Sequence, residues 1–403
     1  MKIMQINTVY KQGSTGTIVA SISKKCRNKG FDSIVIYGVG KQIREKGVYK
    51  IETLLGYYAH NIFSRFFCSQ GEHSYAATLK LLWKIKSFHP DIIHIHNLHG
   101  NYINYKLLFR LIKKLEIKIV WTFHDCWPFT GKCTHFDFVN CMKWKQQCES
   151  CIQLKEYPKS FFLDSSRRSY LRKKKVFSSH NSLVVVTPSE WLEDKAKKSF
   201  FNKYEILTIN NGVDLSIFRP MQSNLKSTLG IEDKFVILSI VDNFSGRKGG
   251  EFILELSKII DDRMRILVVG VSKIIDVSNN IIFHKKIIDK SEMAKIYSLA
   301  DVFVNPTLED TFPTVNIESI SCGTPVVTFP TGGSPEIIDE RTGIVTKECN
   351  ADNIYNAILE ICKNGKETYT LNCRKRAELL YDKEKKYNKY IELYSILFNE
   401  SCH

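Results

Sequence analysis

From Asn305 to Thr328 the chain reads NPTLEDTFPTVNIESISCGTPVVT, and this stretch restricts the fold more than any other. The apolar run Val302–Val304 leads into it, and Val326–Phe329 reads as a second buried strand. The turn Thr311-Phe312-Pro313 marks the start of a helix between them. Asp310 lies just before that helix and Glu318 two turns into it, eight residues on. A helix start presents unpaired N–H groups and the positive end of the macrodipole, so it binds phosphate. Carboxylates on either side could grip hydroxyls flanking a bound diphosphate, which is the layout a sugar nucleotide needs. The bare pair carries little: with 42 Asp and Glu in 403 residues, roughly four such spacings arise by chance. Its neighbours make it informative.

The rest of the chain repeats the same alternation. Lys2–Asn7 reads as a strand, followed by a glycine loop (Gly13 to Gly16) and an amphipathic helix to about Asn28. Ser33–Tyr37, Asp91–His96, Lys118–Phe123, Leu183–Thr187 and Ile206–Ile209 continue the first series. Phe235–Val241, Arg265–Val269, Ile281–Phe283, Val302–Val304 and Val326–Phe329 form a second, with a helix over Ser291–Leu299 and a closing helix from about Ala377 to Phe398. Strands alternating with helices imply parallel sheets covered on both faces. The expected fold class is therefore α/β, with two Rossmann-like blocks joined near NNGVD, residues 210–214, facing each other across a cleft. No solenoid repeat and no low-complexity linker interrupts the chain.

Composition narrows the setting. Apolar content of 43% suits a folded protein, and no run is long and apolar enough for a spanning helix. Twelve cysteines with no secretory signal point to a reducing, cytoplasmic setting. The net charge of +16 is lopsided: residues 1–210 carry 34 Lys and Arg against 15 Asp and Glu, residues 211–403 carry 24 against 27. A basic half of this kind suits an anionic partner, and the densest run is Arg167 to Lys175. Anionic lipid is one such partner and nucleic acid the competing one; a solvated helix face is the ordinary alternative.

Several constellations could carry chemistry. Arg247-Lys248-Gly249 follows the strand and loop that open the second block, where cations would stabilise a diphosphate leaving group. The Gly13–Gly16 loop, with Gly16 nearest the helix, would let backbone approach a ligand, although a tight turn needs the same glycines. The block WTFHDCWPFTGKCTHFDFVNCMKWKQQCESC, residues 121–151, emerges at the end of a strand, where α/β proteins bind ligands. His124 and Asp125 come first in it. Cys133, Cys141, Cys148 and Cys151 could close on a structural zinc, or remain free thiols. His94 and His96 should share one strand face, with His99 in the loop beyond, as a polar strand end. The aromatics from Tyr57 to Trp83 are expected in the core, with a membrane-interface patch as the alternative.

These residues carry a resemblance. The 305–328 segment with TGGSPE (331–336), HDCWPFTG-x-C, TPSEWL (187–192), NNGVD (210–214), RKGG (247–250) and the glycine loop resemble retaining glycosyltransferases of family 4, in a subgroup of bacterial surface-polysaccharide assembly. The resemblance spans nearly the whole chain and implies the GT-B arrangement. It implies an acceptor-side domain over 1–212 with a Cys-rich loop at 124–151, a nucleotide-sugar-binding domain over 213–380, and a C-terminal helix over 381–403 packing back on the first domain. Asp310 stands where the family usually has Glu, and Asp242 where it usually has Arg.

Carried onto matching positions, the resemblance implies that Glu318 binds the nucleotide ribose and Asp310 the sugar hydroxyls. Thr311, Phe312, Pro313, Thr314 and Val315 would face the diphosphate with their backbone, Arg247 and Lys248 would stabilise it, Gly16 would approach it, and His124 would sit beside the sugar. The implied reaction moves a sugar from a UDP- or GDP-linked donor to a hydroxyl of a lipid-linked or oligosaccharide acceptor, with retention and without a catalytic metal or other cofactor. The basic half would then meet an anionic membrane face from the cytoplasmic side, with no nucleic acid involved. Two rivals stand beside it: a sugar-nucleotide epimerase of the same fold, and a non-enzymatic polyanion or nucleic-acid binder.

Overall fold

The computed structural model describes residues 1–241, 244, 246–271 and 279–400. Asp242 and residues 272–278 lie outside the described residues. The chain divides into two compact units, one of Met1–Ile209 together with the end of the chain from Tyr387, the other of Asn210–Lys386.

The first unit holds a seven-stranded sheet of β1 (Lys2–Asn7), β2 (Asp32–Tyr37), β3 (Val48–Lys50), β4 (Ile92–Ile95), β5 (Lys118–Thr122), β6 (Leu183–Thr187) and β7 (Glu205–Thr208). Its order is β3-β2-β1-β4-β5-β6-β7, and every pairing is parallel. Parallel strands buried on both faces need unbroken apolar runs, and LVVVT of β6 is buried throughout. Alternation splits the core. Ile93, Ile95, Ile119 and Trp121 pack on one face. Ile92, Val120, Val184 and Val186 pack on the other, under Ile18 and Ile22 of the Gly13–Asn28 helix and Tyr387, Tyr390 and Tyr394 near the chain's end. The glycine loop is thus part of a helix: Gly13 opens it, and Gly16 lies in its first turn.

The second unit holds β8 (Phe235–Ile240), β9 (Met264–Val269), β10 (Ile281–His284), β11 (Val302–Asn305), β12 (Val326–Thr328) and β13 (Gly343–Val345). Their order is β10-β9-β8-β11-β12-β13, again all parallel. Asp289 caps the Lys290–Leu299 helix by accepting from the Glu292 N–H, and Asn350 caps Ala351–Asn364 by accepting from Asn353.

The closing segment is two helices, Lys366–Leu380 and Lys383–Asn399, rather than one. The break has a cause in the backbone. The Val213 N–H donates to the Tyr381 carbonyl, and the Lys383 N–H donates to the Val213 carbonyl. These bonds and the Asp214–Lys383 ion pair hold the chain extended at Asp382 before the last helix starts. That helix then packs its aromatics onto the first sheet, where the Tyr394 hydroxyl pairs with His94 Nδ1 and the Tyr390 hydroxyl with Thr122 Oγ1.

Both sheets reverse their strand order next to the first strand of the unit, between β1 and β4 and between β8 and β11. The loops leaving two such strands at their carboxyl ends diverge and leave a crevice, the usual ligand position of a doubly wound sheet.

Burial of Tyr394 against His94 gives a direct test of the last helix. Tyr394→Phe leaves a buried imidazole nitrogen unpaired and should cost about 1–2 kcal/mol. Tyr394→Ala adds a cavity and should cost about 3–5 kcal/mol. Urea denaturation measures both, and two unchanged midpoints would contradict this packing.

Candidate active site

The second unit gathers three separate pieces of sequence at its switch point. Residues 247–249 leave the β8 side, 306–313 leave β11, and 331–333 follow β12. The Leu308 N–H donates to the Arg247 carbonyl at 2.8 Å, and the Gly333 N–H donates to the Asp310 carbonyl at 3.1 Å. Glycine is required at two of these contacts. Gly249 has φ +69° and a Cβ there would lie 1.9 Å from the Pro306 carbonyl oxygen; Gly332 has φ +57° and a Cβ there would lie 1.8 Å from that of Asp310. RKGG and TGGSPE are therefore the two clamps on the loop that carries Asp310.

Within this frame Lys248 Nζ meets Asp310 Oδ2 at 2.7 Å. Asp310 Oδ1 accepts the Phe312 N–H at 3.2 Å, which turns the chain into the Thr314–Ser321 helix. Arg247 is exposed beside Lys248. Glu318 lies within that helix, and its Oε2 accepts the Tyr297 hydroxyl at 3.0 Å. Burial raises the Glu318 carboxyl to about 7, against the opposing pull of the Tyr297 hydrogen bond and the Lys290 charge. Thr311, Phe312 and Pro313 are buried, while Thr314 and Val315 are partly so. The Tyr297 hydrogen bond and the Lys290 charge that act on Glu318 come from the Lys290–Leu299 helix, and nothing in the 305–328 wording announces them.

The first unit places a separate polar cluster at the ends of β4 and β5. Thr8 Oγ1 donates to the His99 carbonyl, and the Asn97 N–H donates to Asn7 Oδ1, so the loops after β1 and β4 are joined at their own switch point. Gln5 Nε2 donates to the Val19 carbonyl, which turns its Oε1 toward His96 Nε2 at 3.2 Å. His96 then carries its proton on Nε2, and its Nδ1 accepts from His124 Nε2 at 3.0 Å. His124 is held as the Nε2–H form, and burial lowers it to about 4. His94 and His96, fully buried, are also held well below the usual imidazole range by the same cause.

Beside this cluster, Asp125 accepts from the Trp127 N–H and pairs with His99 at 2.7 Å. Burial works to raise Asp125, but His99 outweighs it and the carboxyl sits at about 2. The partnership of Gln5 and His96 with His124 is long-range, and sequence spacing gave no sign of it.

The Cys-rich loop brings its thiols near one another. Cys133 and Cys151 face each other with sulfurs 3.9 Å apart, whereas Cys148 accepts the Gly131 N–H. Among the described residues no group of three or more His, Cys, Asp or Glu side chains could hold a metal ion.

Two doubly wound parallel sheets in one chain are the fold of the GT-B glycosyltransferases. The family model for Glycosyltransferase Family 4 matches residues 15–217, and that for Glycosyl transferases group 1 matches 235–364. The chain belongs to glycosyltransferase family 4. It is 22% identical over 368 residues to the putative colanic acid biosynthesis glycosyl transferase WcaC of Escherichia coli, covering 86% of this chain and 88% of that protein. It is 22% identical over 318 residues to an uncharacterized 41.2 kDa protein in the cps region of Klebsiella pneumoniae, covering 75% and 78%. Among solved structures, sucrose-phosphate synthase from Thermosynechococcus elongatus superposes with a TM-score of 0.71 at 18% identity over 99% of each chain. Anabaena HepE in complex with UDP-glucose superposes at 0.67 and 16% identity, covering 98% of this chain and 99% of that one.

Two measurements check this geometry. Nitrogen-15 spectra should show His96 and His124 as neutral Nε2–H forms, with His124 protonating only as pH falls toward 4; a cationic His124 near neutral pH would contradict the relay. For Glu318 the folded-state pKa lies above the unfolded value, so between about 4.5 and 7 the unfolded chain releases the proton first. Stability therefore falls as pH rises through that window and stays lower above it. Glu318→Gln should remove this slope, gaining on the order of 3 kcal/mol at pH 8 and almost nothing at pH 4. Equal pH dependence of thermal unfolding in both proteins would contradict the buried carboxyl.

Proposed function

We propose that this chain transfers a sugar from a nucleotide-diphosphate sugar to a hydroxyl of a lipid-linked glycan, with retention, in assembly of a bacterial surface polysaccharide. One observation carries the reading: the Lys248–Asp310 pair at a switch point, directly before the Thr314–Ser321 helix that bears Glu318. The similarity to a protein named for colanic acid biosynthesis supports the polysaccharide. A fold shared with a protein bound to UDP-glucose supports the donor class.

In this reading Lys248 and Arg247 neutralise the leaving diphosphate, joined by the N–H groups of Thr314 and Val315 at the helix start. Thr311, Phe312 and Pro313 supply the backbone around it. Asp310 holds sugar hydroxyls and an ionised Glu318 accepts from the ribose. The half-exposed Lys248–Asp310 pair is worth about 0–1 kcal/mol, so exchanging it for phosphate and hydroxyl partners costs little. His124 is a neutral imidazole in the polar cluster of the first unit. No side chain is assigned as a covalent nucleophile; the departing phosphate takes the acceptor proton on the same face. No metal or other cofactor takes part. The acceptor brings the basic first unit to an anionic membrane on the cytoplasmic side, and no helix among the described residues is long and apolar enough to cross that membrane.

Glu318→Ala should abolish donor-dependent transfer while leaving the fold intact, and Lys248→Ala should slow it about 100- to 1000-fold. Transfer of radiolabelled sugar to lipid-linked acceptor, followed by chromatography, measures both. Full activity in Glu318→Ala would overturn the site. Conversion of donor without any acceptor would indicate the epimerase instead.

A further inference from the structure

The aromatic stretch from Tyr57 to Trp83, expected in the core, is largely at the surface. The Leu54–Phe67 helix turns Leu54, Leu55, Tyr58, Ile62 and Phe66 outward, and Leu55 is 84% exposed. The Tyr75–Phe88 helix exposes Tyr75, Leu79 and Trp83. Between the two runs a groove of about 490 Å³, lined by Ala59, Phe63, Phe67, Ala77 and Lys80 among others.

A strap at 160–163 extends this face. The Phe161 N–H and the Ser160 hydroxyl both donate to the Arg65 carbonyl, at 2.9 and 3.1 Å. Phe162, 68% exposed, stacks on Phe66 with ring centroids 5.0 Å apart, and the Arg65 guanidinium lies 5.5 Å from the Phe161 ring. Leu163 then leads into the Ser166–Phe177 helix, where Arg167, Arg168, Arg172 and Lys175 line a shallow hollow with Leu163 and Leu171.

Apolar area of this kind in a folded protein marks a surface that something covers. Charge decides what. Every charged side chain on these three helices is Lys or Arg. Few acids lie nearby: Glu72 is buried and paired with Lys106 and Arg172, Asp164 accepts the Cys151 and Ser166 N–H groups, Glu52 is buried in the groove wall with its Oε1 accepting the Thr53 N–H, and Glu149 faces Arg167. A second copy of the same face would set cations against cations. An anionic lipid surface instead supplies phosphate for the Lys and Arg and an apolar layer for the aromatics.

We propose that the Leu54–Phe67 and Tyr75–Phe88 helices and the 160–163 strap seat this protein on an anionic bilayer, with the Ser166–Phe177 helix against the headgroups. The proposal rests on the lipid-linked acceptor reading and names the face by which the enzyme reaches it. Apolar insertion is not screened by salt, whereas the attraction of Lys and Arg to phosphate is.

The test is co-sedimentation of the full chain with phosphatidylcholine vesicles, with and without phosphatidylglycerol. Binding should require the anionic lipid, weaken with salt, and retain a salt-resistant fraction. The double variant Leu55→Ser, Phe162→Ser should bind about tenfold or more weakly at an unchanged melting temperature, because both side chains are exposed. Trp83 emission should become shielded from acrylamide on vesicles, an effect lost in Trp83→Phe. Equal binding by the double variant overturns the proposal. So does a wild-type protein that ignores anionic vesicles; self-association sensitive to the same variant would then assign the face to a second copy. Transfer to a water-soluble acceptor without vesicle binding rejects this surface and keeps the reaction, and vesicle binding without any transfer does the reverse.

Discussion

Two backbone contacts hold the loops of the second sheet in place, Gly249 against the Pro306 carbonyl and Gly332 against that of Asp310. Neither position has room for a side chain, and both glycines take a left-handed conformation that other residues resist. The consequence reaches past the turns. With Gly249 seated, Lys248 is placed at Asp310; with Gly332 seated, the Asp310 loop is fixed on its other side. The parallel order of β8 and β11 supplies the crevice, and the glycine contacts decide which side chains stand at its rim.

The two units use buried polarity differently. In the first, a chain of uncharged hydrogen bonds runs from the Val19 carbonyl through Gln5 and His96 to His124, with each donor matched to one acceptor. Burial keeps these imidazoles neutral, so the chain sets an orientation without a charge to stabilise. In the second, Glu318 Oε2 accepts the Tyr297 hydroxyl, and burial pushes the carboxyl up to about 7. A carboxylate that burial makes costly to ionise is one that a hydroxyl-bearing ligand can stabilise.

Much of this was legible in the sequence, for a physical reason. Parallel strands covered on both faces show as apolar runs, so LVVVT and FVILSI were evident to within a residue of β6 and β8. The edge strands β3 (VYK) and β13 (GIV) were missed, because each has only two apolar residues between a glycine and a polar residue. The break at Tyr381 and Asp382 was missed because it depends on bonds to Val213, far away along the chain. The aromatics from Tyr57 to Trp83 misled, since apolar content alone does not distinguish a core helix from an exposed one. Lys248, Asp310 and Glu318 stood out as candidates by their sequence neighbours, but the ties of Glu318 to Tyr297 and of His124 to His96 exist only in three dimensions.

The central claim is that the second unit binds a nucleoside diphosphate at the loops after β8 and β11. Thermal-shift titration of the protein against UDP, GDP, ADP and their sugar conjugates tests it most directly. A ligand at a hundredfold excess over its Kd should add roughly 2.7 kcal/mol to stability. The account predicts a selective rise with one diphosphate, diminished in Lys248→Ala. No rise with any nucleotide, or an equal rise in wild type and Lys248→Ala, would contradict it.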